Sequence, residues 1–307
     1  MGVAPTYDKY GEHMPSLRQI RGKISSVKGT RRIMSAMKLI SAVKLQRAQG
    51  LLINYRPYSN AFQEIARSLA TKCDSKWHPL LRNPEERKKL HLVFMTSDRG
   101  LCGSFNSNLI RKIETYLVTE AKVYEQVIFS FLGRRGRDHF AKRKVQVVGS
   151  YIGINERNFS QIAGEIAHNL VKEFTKGESD EVVLVYNYFK SALSQVLTFE
   201  RLLPIEREET RDKDSASIDY IYEPEREDVL KYVLPKYVEV RLERAVLESI
   251  TSEHGARMTA MENATRNAED VIRRLTLLFN KTRQAIITKE LMDIVNGTEA
   301  LRKGDTD

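Results

Sequence analysis

The sequence has few cysteines and lacks long apolar runs. Its 307 residues include 2 cysteines, Cys73 and Cys102. These are too few for a disulfide framework, so a reducing compartment is expected. No stretch reaches the ~18 consecutive apolar residues of a membrane-spanning helix. The 6 histidines show no H-x-x-x-H spacing, so no metal ion or other cofactor is expected.

Acidic residues are absent from Ser16 to Gly50, within a chain whose formal net charge is +10. This segment predicts an acidic partner, which could be nucleic acid, an anionic membrane surface or an acidic protein. A merely solvated helix face is disfavoured because no acid four residues away offsets the charges. DNA binding would need a recognition helix, zinc site or aromatic stacking pattern, and none is evident. The basic residues are Arg18, Arg21, Lys23, Lys28, Arg31, Arg32, Lys38, Lys44 and Arg47.

The same segment has apolar residues at helical spacing. Ser16 and Pro15 favour a helix start, and Pro57 predicts its end. A helix of roughly 40 residues would span about 60 Å and needs a partner helix. The apolar stripe comprises Leu17, Ile20, Ile24, Val27, Met34, Met37 and Ile40.

A second long helix is predicted near the carboxyl terminus, from Leu230 to about Asn296, where Asn296-Gly297 supplies an end signal. Steps of three and four residues continue without interruption, which indicates a left-handed supercoil. Gly255 is a weak point inside this helix. The repeat includes Val233, Tyr237, Val240, Arg244, Leu247, Thr251, His254, Met258, Met261, Thr265, Ala268, Ile272, Leu275, Phe279, Thr282 and Ile286.

The middle of the chain alternates short β-rich runs with helical patterns, which is typical of a mostly parallel α/β sheet. A charged loop is predicted at Glu206 to Ser217, followed by an edge strand at Ile218 to Tyr222. The predicted strands are Leu90 to Thr96, Gln126 to Leu132, Lys144 to Val148 and Glu181 to Tyr188, and the helices are Asn106 to Lys122 and Phe159 to Phe174.

The main candidate for chemistry is the glycine-containing loop from Ser97 to Ser104, between a strand and a helix. Helix amino termini can bind phosphate. The loop nevertheless lacks both G-x-x-x-x-G-K-[ST] and G-x-G-x-x-G, so a structural turn is the favoured interpretation. Cys102 as a nucleophile is disfavoured because no histidine lies nearby in sequence. Arginines in Gly133 to Arg137 could bind an anion, but a solvated turn leading into a helix is simpler.

Several segments, taken together, resemble the gamma subunits of rotary ATP synthases of the bacterial type. The resemblance covers nearly all of the chain after Met14, which is a plausible alternative start. The segments that carry it are TRRIMSAMKL from Thr30, SDRGLCG from Ser97, YIYEP from Tyr220, ITSEHGARMTAMENAT from Ile250 and NKTRQAIITKEL from Asn280.

The resemblance implies a non-catalytic central-stalk rotor that transmits torque between an ion-driven membrane ring and a catalytic ring of alpha and beta subunits. One copy per complex would contact alpha, beta, epsilon and membrane-ring c subunits. It would lie peripherally at the cytoplasmic face of the cell inner membrane and contact the membrane only indirectly. The basic helix would then face an acidic loop of beta. A rotating shaft acts by binding each conformation of its partners differently.

The resemblance also implies partner contacts at five positions. Met37 and Arg257 correspond to shaft residues near the acidic loop of beta. Arg283, Gln284 and Thr288 correspond to residues that engage an upper catch of beta. Ser104 and Phe105 depart from the smaller or aliphatic residues that the family often has, and the cysteine-bearing insertion of chloroplast relatives is missing between Lys190 and Ile221.

The predicted fold is a Rossmann-like α/β domain inserted between amino- and carboxyl-terminal helices that form a long antiparallel coiled coil. The predicted divisions are a tail at 1–14, a shaft helix at 15–60, the α/β domain at 61–224, a second shaft helix at 225–298 and a tail at 299–307. Three other classes stay open: a basic coiled-coil nucleic-acid binder, a stand-alone phosphate-handling enzyme and a passive scaffold.

Overall fold

The computed structural model describes residues 16–71, 73, 77–82, 84, 86–143, 145–205, 223 and 225–304. The predicted amino-terminal tail, the loop at 206–217 and the edge strand at 218–222 lie outside these residues. The chain divides into two compact units. The α/β unit comprises Lys38–Met261, and the helical unit comprises Met1–Met37 with Glu262–Asp307.

The first helix, α1, extends from Leu17 to Thr71. It begins with a reciprocal cap, in which the Ser16 hydroxyl accepts a hydrogen bond from the Gln19 amide and the Gln19 side chain accepts one from the Ser16 amide. The prediction that Pro57 ends the helix is wrong, because Pro57 lies inside it. Proline removes one backbone donor and leaves the carbonyl of Ile53 without its helical partner. Both side chains are exposed there, so water can solvate the helix backbone on this face.

The α/β unit contains one five-stranded sheet with the order β3-β2-β1-β4-β5. β1 pairs in parallel with both β2 and β4, and β2 pairs in parallel with β3. The strands are β1 (Lys89–Met95), β2 (Gln126–Leu132), β3 (Gln146–Tyr151), β4 (Glu181–Phe189) and β5 (Gln195–Leu203). The connecting helices are α2 (Phe105–Thr119), α3 (Arg134–Phe140) and α4 (Phe159–Thr175).

The predicted fold class is confirmed, with one strand added. The sequence analysis missed β5, which pairs antiparallel with β4. A short turn joins the two strands, and within it the backbones of Ser191 and Ser194 bond to each other. The predicted alternation of strands and helices did not require a hairpin, so nothing in that pattern placed β5 beside β4.

The core of the α/β unit lies on both faces of the sheet. One face packs on α4, α1 and the last helix, α5 (Arg226–Gly304). The other packs on α2 and α3, and four phenylalanine rings meet there: Phe94, Phe129, Phe131 and Phe140. Phe94 contacts the other three rings edge-on, a geometry that aromatic quadrupoles favour.

Within the α/β unit, α5 is buried on nearly all sides between Tyr237 and His254. Close packing explains why glycine stands at position 255, the predicted weak point, because a Cβ atom there would lie 3.2 Å from the Cα of Ala192. The helix therefore approaches the β4–β5 turn more closely than a larger residue would allow.

Within the helical unit, α1 and α5 run antiparallel. Arg31 lies 3.2 Å from Glu269, whereas the guanidinium of Arg21 lies over the ring of Phe279, 5.5 Å from its centroid. As the residue number falls along α1 it rises along α5, which is the order that antiparallel helices produce. Within the described residues, no helix has the length and apolar character needed to cross a membrane.

Candidate functional site

The candidate site lies at the carboxyl edge of β1, β2 and β3, three of the four parallel strands. In open α/β sheets, ligands bind in the crevice outside the carboxyl ends of the strands. The loop from Ser97 to Ser104, selected from the sequence, follows β1 at this edge. Its geometry therefore tests whether the crevice can hold a phosphate or nucleotide.

The loop satisfies its own polar groups. The Ser97 amide donates to Asn106 Oδ1 at 2.9 Å, and the Ser97 hydroxyl donates to the Arg99 carbonyl at 2.6 Å. Leu101 and Gly103 have φ values of 65° and 59°, the left-handed region that tight turns use. The loop is thus a closed turn, as the favoured interpretation predicted.

Asp98 joins this loop to the segments that follow β2 and β3. Its Oδ1 accepts a hydrogen bond from the Arg134 amide at 2.9 Å, and its Oδ2 accepts one from the Gly153 amide at 2.7 Å. Hydrogen bonds to a carboxylate are stronger than bonds between neutral groups. Asp98 therefore has a structural role, since both of its oxygens bind backbone amides of the adjacent loops.

Gly133 and Gly136 let the start of α3 approach β1. A Cβ atom on Gly133 would lie 2.0 Å from the Thr96 carbonyl oxygen, and Gly133 has a φ of 101°. The Gly136 amide donates to the Thr96 hydroxyl at 2.8 Å. The glycines of the Gly133–Arg137 segment thus serve close packing rather than an approach to a ligand.

Helix α5 fills the crevice. Arg257 is 9% exposed and donates to the Arg99 carbonyl at 3.1 Å and the Gly100 carbonyl at 3.4 Å. Glu253 lies 2.7 Å from the same guanidinium. The cavity that remains between α5 and the strand ends has a volume of about 30 Å³. That volume accommodates about two or three water molecules, so a nucleotide does not fit.

Cys102 is not poised for nucleophilic chemistry. The side chain is buried, and burial raises the pKa of its thiol, partly offset by a hydrogen bond with Ser97 and the charge of Arg257. The thiolate is the reactive form of cysteine, and a raised pKa reduces its population.

A Ser–His–Glu arrangement that was not predicted from the sequence joins β1 and β2 of the sheet to α4. His91 Nε2 lies 2.9 Å from the Ser130 hydroxyl, and its Nδ1 lies 3.0 Å from Glu173. His91 and Ser130 are both buried, and a Cβ atom on Gly149 would approach Ser130 Oγ to 2.8 Å. Because the hydroxyl is packed against neighbouring backbone, this cluster has no room for a substrate. Its members are distant in sequence, so no motif indicated it.

Three carboxylates join α5 to the other elements of the α/β unit; Glu243 and Glu248 are buried and Glu200 is half-buried. Glu248 binds Arg56 of α1 and the Phe189 amide of β4. Glu243 accepts hydrogen bonds from Tyr55 and Ser160, whereas Glu200 of β5 binds Arg241 and Tyr186. Sequence reasoning missed all of them, since each depends on partners far along the chain.

A fourth contact joins α5 to the loop before α4. His254 Nε2 lies 2.7 Å from Glu156 Oε1. This hydrogen bond lowers the pKa of Glu156 to about 2. Within the described residues, no group of three or more His, Cys, Asp or Glu side chains could hold a metal ion.

Comparisons with known proteins agree with this geometry. The ATP synthase family model matches residues 16–301. The ATP synthase gamma chain of Anaeromyxobacter sp. (strain Fw109-5) is 46% identical over 94% of this chain and 100% of that protein. The gamma chain of Bdellovibrio bacteriovorus is 44% identical over the same shares. The chain belongs to the ATP synthase gamma-chain family.

Solved structures show the same fold. A chain of the Euglena gracilis mitochondrial ATP synthase matches with a TM-score of 0.70 at 22% identity, over 95% of this chain and 96% of that chain. A chain of the Tetrahymena thermophila mitochondrial ATP synthase, from its central stalk and c-ring structure, matches with a TM-score of 0.57 at 27% identity, over 76% and 99%.

Of the five positions implied by the gamma-family resemblance, four lie in the helical unit. Met37 is half-buried on α1, and Arg283, Gln284 and Thr288 are exposed on α5. Gln284 and Thr288 share one helix face because they are four residues apart. The fifth, Arg257, lies in the α/β unit and binds the carbonyls of the Ser97–Ser104 loop. Their contacts with partner subunits stay predictions.

Among the described residues, the long helices of this gamma-family chain have two largely exposed surfaces. Most basic side chains of α1 between Arg18 and Arg47 are exposed. The carboxyl-terminal part of α5 exposes a large apolar set, which is more than the scattered exposure of ordinary surfaces. Its members are Leu277, Leu278, Ile286, Ile287, Leu291, Met292, Ile294 and Val295.

Proposed function

We propose that this gamma-family chain is the central-stalk rotor of an ATP synthase and transmits torque between an ion-driven membrane ring and a catalytic ring of alpha and beta subunits. The single observation that carries the proposal is the filled crevice of the α/β unit. Arg257 and Glu253 of α5 lie where a doubly wound sheet would hold a nucleotide. The unit therefore serves to hold a helix rather than a substrate.

The chain itself has no catalytic role in this proposal; the assembled complex makes ATP. Its partners are the alpha, beta, epsilon and c subunits, with one copy per complex. The Tetrahymena and Euglena structures that it resembles come from assemblies described as central stalk with c-ring and as rotor. The complex lies at the cytoplasmic face of the cell inner membrane, and this chain is peripheral to it.

The exposed surfaces support the proposed partners. A basic α1 suits an acidic protein surface through long-range attraction, and Arg283, Gln284 and Thr288 lie exposed on the same helix as the apolar set. Apolar patches of this extent mark protein contacts. We infer that these faces of α1 and α5 contact the catalytic ring and that Met37 and Arg257 contribute near an acidic loop of beta.

Purification of a tagged chain from its native membranes tests the proposal. The expected result is recovery of alpha and beta subunits in threefold excess over this chain, with ATPase activity in the complex and none in the isolated chain. Recovery of nucleic acid, or ATPase activity of the chain alone, would overturn the proposal. A salt titration separates the nucleic-acid outcome, because binding to phosphates weakens steeply with salt.

A further inference from the structure

One ion pair of the α/β unit joins three elements at once. Glu248 of α5 has 0% exposure and accepts hydrogen bonds from Arg56 Nε and Nη2, each at 2.8 Å. It also accepts a hydrogen bond from the Phe189 amide of β4 at 2.9 Å. Arg56 of α1 in turn donates to the Phe189 carbonyl at 2.7 Å. We call Arg56, Glu248 and the Phe189 backbone the clamp.

The hydrogen bonds of the clamp form a closed network. Arg56 and Glu248 bind each other with two parallel hydrogen bonds, and together they bind both backbone polar groups of Phe189. The guanidinium also lies over the Tyr188 ring, 4.8 Å from its centroid. Glu248 raises the pKa of Arg56. Each of the three elements is therefore held to the other two at one point.

This kind of contact restrains rotation more than apolar packing does. Burial of apolar surface is not directional, so packed helices can slide or twist with little change in buried area. A hydrogen bond weakens steeply when its angle falls below about 120°, and a bidentate Arg–carboxylate pair fixes two such angles. Twisting α1 against α5 at this point would break bonds to a carboxylate that no water can reach.

The other two carboxylates that bind α5 do not make the same connection. Glu243 also joins α1 to α5, but its partners Tyr55 and Ser160 are uncharged hydroxyls. Glu200 binds Arg241 through an ion pair that joins β5 to α5 and leaves α1 out. Of these three carboxylates, Glu248 alone joins both long helices and the sheet through a charged pair.

We propose that the clamp is a torsional coupling point, at which torque on the α/β unit passes to α1 and α5 together instead of twisting one helix against the other. This inference rests on the proposed rotor function. Arg56 and Glu248 are positioning residues in this sense, since they act through the elements that they join.

Angular fluctuations of the assembled complex test the clamp. The catalytic ring is fixed to a surface, and a probe is attached through Val123→Cys. Val123 is exposed, whereas Cys73 and Cys102 are buried, so labelling within this chain is selective. The angular variance of the probe is recorded without ATP for the parent and for Glu248→Gln, which removes the charge at nearly constant shape. The expected result is a variance at least twice that of the parent.

Two controls separate coupling from general destabilisation. Glu269→Gln makes the same chemical change in a half-exposed α1–α5 pair of the helical unit and should leave the variance unchanged. Ile166→Val removes a methyl group from the buried core of α4; it should lower the thermal unfolding temperature without raising the variance.

Each outcome bears on a separate claim. A parent complex that hydrolyses ATP without rotating the probe would overturn the rotor proposal. A parent that rotates, with Glu248→Gln at the parental variance, would overturn the clamp alone. A rise of equal size in Ile166→Val would also overturn the clamp, because general loosening would then explain the effect.

Discussion

The two units join α1 to α5 with the same chemistry in different surroundings. In the α/β unit the pair is Arg56–Glu248, with side chains 26% and 0% exposed. In the helical unit the pair is Arg31–Glu269, with side chains 41% and 45% exposed. An exposed pair contributes little because water screens it, whereas breaking a buried pair leaves an uncompensated charge. Burial, rather than the identity of the charges, decides what each pair contributes.

The largest difference between the units should appear when the glutamates are truncated. Glu248→Ala leaves Arg56 and the Phe189 amide without their shared acceptor, which should lower the free energy of unfolding by about 3–5 kcal/mol. Glu269→Ala should cost less than about 1 kcal/mol. Urea denaturation of the full chain, followed by circular dichroism, measures both. Equal losses would contradict the comparison.

Apolar truncation along α1 should show the same contrast. Leu52 is 0% exposed and packs with Phe189 and Leu247, so Leu52→Ala should cost about 2–5 kcal/mol through lost burial and a cavity. Ile33 in the helical unit is 63% exposed, and Ile33→Ala should change stability by no more than about 0.5 kcal/mol. Thermal unfolding of the two variants side by side checks this. A large loss for Ile33→Ala would show that the isolated chain covers this residue.

The sequence predicts the elements better than it predicts their surroundings. Period-three and period-four spacing indicated both long helices, and β-rich runs placed β1, β2 and β4 to within a residue or two. The end of α1 was predicted wrongly from Pro57, because an exposed helix face tolerates the loss of one backbone hydrogen bond. β5 was missed because a hairpin at the sheet edge depends on pairing with β4, which local pattern does not specify.

The sequence pattern did not predict the contacts of α5, and the reason is physical. The repeat includes Leu247, and its neighbour Glu248 therefore reads as the solvent side of a two-helix seam. In the structure α1, α4 and the sheet surround this part of α5, so both residues are buried. Polar residues in a helix buried all round need partners, and those partners, such as Arg56, are set by tertiary structure.

Acid should weaken the α/β unit through Glu156. The hydrogen bond from His254 lowers the pKa of Glu156 to about 2, from 4.5 in the unfolded chain, against an opposing effect of burial. A lowered carboxyl pKa gives stability that is present above pH 4.5 and lost as the pH falls towards 2.

Glu156→Gln removes that dependence. Between pH 5 and pH 2.5, the parent should lose about 1–2 kcal/mol more than the variant, a value reduced for solvent screening. Urea denaturation across this range measures the difference. Glu269→Gln, the same change at a half-exposed site, is the matched control and should retain the parental pH profile. Parallel profiles for the parent and Glu156→Gln would rule out this contribution.

The smallest predicted effect is the coupling energy between Arg31 and Glu269, the exposed pair of the helical unit. A double-mutant cycle with Arg31→Ala and Glu269→Ala should give a coupling energy of about 0.2–1 kcal/mol at low salt. In 1 M salt, where the screening length falls to about 3 Å, that coupling should disappear. The same cycle at Arg56 and Glu248 should retain more of its coupling, because salt screens a partly buried pair far less. If salt reduced both couplings equally, the two units would not differ in the way that the burial of Glu248 implies.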